Sequence, residues 1–100
     1  MEDKYGQLKA STKGLFGEIN ANVLDHAEQT ISNSNVDPDF VADVLKEIFK
    51  RQGRQSDATE SKQKAIINRI VSVKENNETI KPSTVALDVQ IMIKENWKNL

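Results

Sequence analysis

Few residues of this chain are of a type and spacing to do chemistry. The only histidine, His26, has no nucleophile or second metal ligand near it in sequence. Cysteine is absent, which removes thiol catalysis, disulfides and cysteine-ligated zinc together. With one histidine, a conventional zinc site of about three or four ligands at defined spacing cannot be assembled. Asp37, Asp39 and Asp43 lie close enough to act as paired carboxylates in acid–base work. Acidic residues also belong at a helix N-terminus, where they complement its dipole, and that is the better reading of the three. Gly6, Gly14, Gly17 and Gly53 make neither a phosphate-cradling loop nor a dinucleotide fingerprint. Asn77-Glu78-Thr79 matches a glycosylation sequon, but no secretory signal accompanies it. The expectation is a protein that binds rather than catalyses, with no catalytic residue, metal or cofactor.

Charge carries the stronger signal. Net charge is -1, yet residues 1–45 hold three Lys/Arg against eight Asp/Glu, and residues 46–74 hold eight against three. Lys46, Lys50 and Arg54 step by four, Lys62 and Arg69 share one side of a later helix, and Arg51 joins the same stretch. Such a basic patch suits phosphate contact, because releasing condensed counterions supplies most non-specific affinity for nucleic acid. Basic residues also gather at helix C-termini for dipole reasons. A helix-turn-helix variant over Asp57–Leu100 is a further reading. Val85, Ala86 and Leu87 near the start of its second helix are poor base readers, however.

The elements that must position these groups read as helices. Leu15, Phe16, Ile19, Val23, Ala27 and Ile31 recur at three- and four-residue steps, predicting one helix from about Ser11 to Ser32. Gly14 and Gly17 weaken its first turns, and a short turn precedes it at Tyr5–Ala10. Asp37 as cap, Pro38 at the first helical position and a Val36–Val41 staple open a second helix. Phe40, Val41, Val44, Leu45, Ile48 and Phe49 form its apolar face, and Lys50, Arg51 and Gly53 close it. The short polar connection before it predicts an N-terminal antiparallel hairpin. A third helix is expected from Asp57, with Glu60 completing the capping pattern, burying Ile66, Ile67, Ile70, Val71 and Val73 and ending at Asn76-Asn77. From Pro82 the pattern is double: Val85, Leu87, Val89, Ile91 and Ile93 alternate as a strand would, while Val85, Val89, Ile93 and Trp97 step by four. Helix is favoured, with Ser83 as cap and no partner strand elsewhere.

The fold class expected is therefore all-α: one domain over residues 1–100, a small bundle of four main helices. Its 37% hydrophobic and 29% charged residues belong to a folded chain, and no run approaches the ~18 apolar residues of a membrane span. With no apolar signal core in MEDKYGQLKAST, the expected location is the cytoplasm, or a host's cytoplasm for a phage-encoded protein.

Leu15-Phe16-Gly17-Glu18-Ile19, Val23 to Ile31, Asp37-Pro38-Asp39-Phe40-Val41 and Val44 to Gly53 together resemble the small terminase subunits of tailed phages. The similarity covers Leu15 to Gln55. It departs from the family's phasing at Gly53, and the residues beyond find no counterpart. It implies a ring-forming, non-enzymatic DNA-recognition component that partners a large packaging ATPase. Ile93 to Leu100, with Val89, Ile93, Trp97 and Leu100, is similar to the closing helix of elongation-factor N-terminal helical bundles, which bind peptides in transcription proteins. Two functions stand side by side. One is nucleic-acid binding by Lys46, Lys50, Arg51, Arg54, Lys62 and Arg69, with homo-oligomer formation. The other is a protein-interaction adaptor whose interface uses Phe16, Phe49 and Trp97. Neither needs a membrane.

Overall fold

The computed structural model describes residues 3–100. These form α1 (Gly6–Phe16), α2 (Ala21–Ser32), α3 (Pro38–Gln52), α4 (Glu60–Asn76) and α5 (Pro82–Asn96), followed by a 3-10 turn at Trp97–Asn99. No strand occurs among the described residues, so the alternating pattern of Val85–Ile93 belongs to a helix.

The single helix expected over Ser11–Ser32 is two helices. Gly17 takes φ 85°, and its N–H donates to Lys13 O at 2.8 Å, which ends α1 in the left-handed conformation that glycine adopts without strain. Asn20 then restarts the chain, its side chain accepting from the N–H groups of Asn22 and Val23. Ile19, expected in the buried stripe, falls in this break and is 47% exposed. At the other end, all of the turn expected at Tyr5–Ala10 but Tyr5 itself is already helix.

The later boundaries follow the sequence more closely. Asp37 caps α3 by accepting from Asp39 N–H, Pro38 occupies the first turn, and Gly53 closes the helix at φ 76°. For α4 the cap is Thr59, accepting from Lys62 N–H, two residues past the expected Asp57. Lys81 precedes α5 without a side-chain cap, so Pro82, and not Ser83, marks the start. Val73 is half-buried instead of buried.

Contacts between elements fix the directions. Gln7 meets Lys46 and Gly14 meets Arg54, so α1 and α3 run the same way. Asn22 meets Glu60 and His26 meets Asn68, so α2 and α4 also run together. Lys74, near the end of α4, lies over the ring of Phe40 at the start of α3, which makes these two antiparallel. Arg69 with Asp88, and Lys62 with Trp97 and Ser61 with Leu100 just past the end of α5, make α5 antiparallel to α4. The helices thus alternate in direction, with α3 packed on both α1 and α5, and α2 on α4.

One expectation changes with this arrangement. α2 and α3 do run in opposite directions, but their chief partners are α4 and α1, not each other as in an isolated hairpin. One apolar cluster runs through the molecule, from Leu8 and Leu15 through Val23, Leu45 and Ile67 to Val89.

Candidate nucleic-acid interface

On α3, the buried positions Val41, Val44, Leu45 and Ile48 face the core, which leaves Asp39, Asp43, Lys46 and Lys50 on the outer stripe. The stripe is acidic where the helix begins and basic where it ends, as the helix dipole favours. Lys46 Nζ donates to Gln7 Oε1 at 3.0 Å, and Arg54 Nε donates to Gly14 O at 3.3 Å. Lys46 and Arg54 therefore bond across the α1–α3 seam, and Lys50, one turn after Lys46, is exposed. None of the three pairs with a carboxylate among the described residues. Arg51 turns to Glu47, one helical turn back, at 3.8 Å.

The structure separates Lys62 and Arg69 from this row. Lys62 Nζ sits 5.0 Å from the centre of the Trp97 ring, a cation–π contact. Arg69 donates through Nε to Asp88 Oδ1 at 2.7 Å and through Nη2 to Asp88 Oδ2 at 3.1 Å. Donating to the Asp88 carboxylate raises the guanidinium pKa further, so this arginine is engaged on α5. The six cations of the central stretch thus form an α3 group and an α4 group, each with its own surroundings.

The three expected interface residues also part company. Phe16 is 2% exposed and belongs to the core, so it is not available as a surface anchor. Trp97 is half-buried under Lys62. Phe49 stands out at 42% exposure. It forms one side of a groove of about 210 Å³ between α1 and α3, lined by Ala10, Ser11, Gly14, Leu15 and Lys46. A Cβ placed on Gly14 would meet nothing within 4 Å, so the α1 wall is open there. Ser11 is 6% exposed and its hydroxyl has no hydrogen-bond partner. The groove was not legible in the sequence, although Ala10 and Gly14 are small residues one turn apart, because it depends on α1 packing alongside α3.

His26 and Asp37, two of the groups considered for catalysis, have structural partners. His26 Nε2 lies 2.7 Å from Asn68 Oδ1 and ties α2 to α4. Ser61, in the same cleft, donates to Leu100 O at 2.8 Å. Asp37 is the α3 cap and Asp39 lies in its first turn. Among the described residues no three His, Cys, Asp or Glu stand together as a metal site. No helix there is long and apolar enough to cross a membrane. Comparison with protein-family models, with curated proteins and with solved structures gives no match.

Proposed function

We propose that the chain is a non-enzymatic helical module that binds nucleic acid, with Lys46, Lys50 and Arg54 contacting phosphates and Arg51 beside them. One observation carries this reading: Lys46, Lys50 and Arg54 are exposed cations at and beside the end of α3, none neutralised by a carboxylate among the described residues. Phosphate contacts add affinity through counterion release, and paired cations contribute less because their counter-charge is already in place.

The test is fluorescence anisotropy of labelled oligonucleotides across a salt series. Lys50→Glu with Arg51→Glu should weaken binding uniformly across sequences and flatten the salt dependence, by about one unit of slope per lost phosphate contact. Lys62→Ala and Arg69→Ala should leave affinity and slope close to the parent. No change in either quantity on reversing the α3 charges would sink the assignment.

The terminase resemblance gives this proposal a narrower form, in which copies assemble into a ring that loads on DNA for a packaging ATPase. Light scattering on an inline sizing column, with and without duplex at low and high salt, tests it. A ring that takes up DNA only at low salt supports that form, and a monomer with or without DNA removes it.

A specific observation favours a second reading, the protein-interaction adaptor. Leu87 and Ile91 lie one turn apart on the solvent face of α5, 47% and 49% exposed. This reading predicts association that salt does not weaken, lost on Leu87→Ala with Ile91→Ala while helicity and melting stay unchanged.

A further inference from the structure

We infer that the groove between α1 and α3 takes an unpaired base, which makes single-stranded nucleic acid, not duplex, the ligand of the α3 cation row. This rests on the nucleic-acid reading above and specifies its substrate.

Three features meet at one place. The ring of Phe49 is 42% exposed, whereas Val41, Val44, Leu45 and Ile48 of the same helix are buried. Beside it lies the cavity of about 210 Å³, below the ~300 Å³ at which sites for drug-sized ligands begin, and so suited to one flat ring system. Its α1 wall is low, since Ala10 and Gly14 offer a methyl group and no side chain at all, so a planar group can approach the helix closely.

Polar features add to this. Lys46 lines the same groove, and Lys50 follows one turn later on the exposed face, about 6 Å further along the axis. A strand whose base stacks on Phe49 would therefore lay its backbone along cations. Aromatic stacking beside a cation track is the sequence-tolerant mode by which proteins hold single strands. In a duplex the bases are paired and stacked, and only the phosphates would reach this surface.

The experiment uses the full chain with a labelled short oligothymidylate and a labelled duplex of mixed sequence. Phe49→Ala should weaken oligothymidylate binding about tenfold, leave duplex binding within about twofold, and keep the salt slope, because stacking releases no counterions. Gly14→Leu, which fills the groove from an open position, should reproduce that pattern with the phenylalanine intact. Circular dichroism and urea melts show that both variants fold. Equal affinity for strand and duplex, unmoved by either variant but lost on Lys50→Glu with Arg51→Glu, overturns the groove assignment and leaves phosphate binding standing. Loss of neither ligand on that charge reversal defeats the parent reading as well. Absence of nucleic-acid binding together with Phe49-dependent capture of an acidic amphipathic peptide also overturns the inference, and makes the groove a peptide site.

Discussion

Gly14 and Gly17 stand three residues apart and call for opposite substitutions. Gly14 sits inside α1 with free space where a Cβ would go, so Gly14→Ala should gain about 0.5–1 kcal/mol by reducing the freedom of the unfolded chain. Gly17 holds φ 85°, a conformation a Cβ disfavours, and Gly17→Ala should cost roughly 1 kcal/mol or more despite adequate room beside Arg54 and Ser56. Urea midpoints at constant m-value check both signs. At this scale the sequence was readable wherever a residue's role is local. Asp37, Pro38 and Gly53 announce the ends of α3 because capping and positive φ are decided within a few bonds. The roles of Lys62 and Arg69 were not readable, since they depend on Trp97 and Asp88 arriving from another helix.

Between elements, α2 and α4 are held by a polar seam above the shared core. Glu60 accepts from Asn22 Nδ2 at 3.3 Å and pairs with Lys64 at 3.2 Å. The hydrogen bond from Asn22, then that from Lys64, holds its carboxyl below the usual carboxylate range. A carboxyl with a depressed folded-state pKa contributes stability that is fully present above its unfolded value of about 4.3 and is lost as pH falls through the folded value. Glu60→Gln should therefore melt earlier than the parent at neutral pH, and the gap should close as pH falls through the depressed folded value of Glu60. A gap that persists unchanged in acid would place the effect in packing and not in charge. The break between α1 and α2 shows why this scale was harder to read. Apolar residues keep helical spacing from Leu15 to Val23 straight through it, so periodicity alone reports one helix. The signal was present in another form, as a glycine able to end a helix three residues before an asparagine able to start one.

At the scale of the whole molecule, three helices, α1, α3 and α5, run one way, and each carries a basic residue in its last turn: Lys13, then Lys50 and Arg51, then Lys94. These cations complement the helix dipoles, so reversing Lys50 should also cost up to about 1 kcal/mol, and binding losses must be read beside melts of the same variants. All-helical composition followed from hydrophobic spacing, but the pairing of α1 with α3 and of α2 with α4 did not, because nothing in one helix's pattern names its neighbour. That pairing decides what Phe16 does. Exposed, it would anchor a partner; at 2% exposure it fills the core where α1 ends. Phe16→Ala should then cost about 3–5 kcal/mol, a large share of the roughly 5–15 kcal/mol that holds a domain folded. Near-ultraviolet and far-ultraviolet dichroism should fall together in one transition shifted to lower urea, since the cluster that contains Phe16 extends into every helix. A Phe16→Ala protein that keeps its midpoint and loses only self-association would instead return this residue to an interface and require α1 to pack differently.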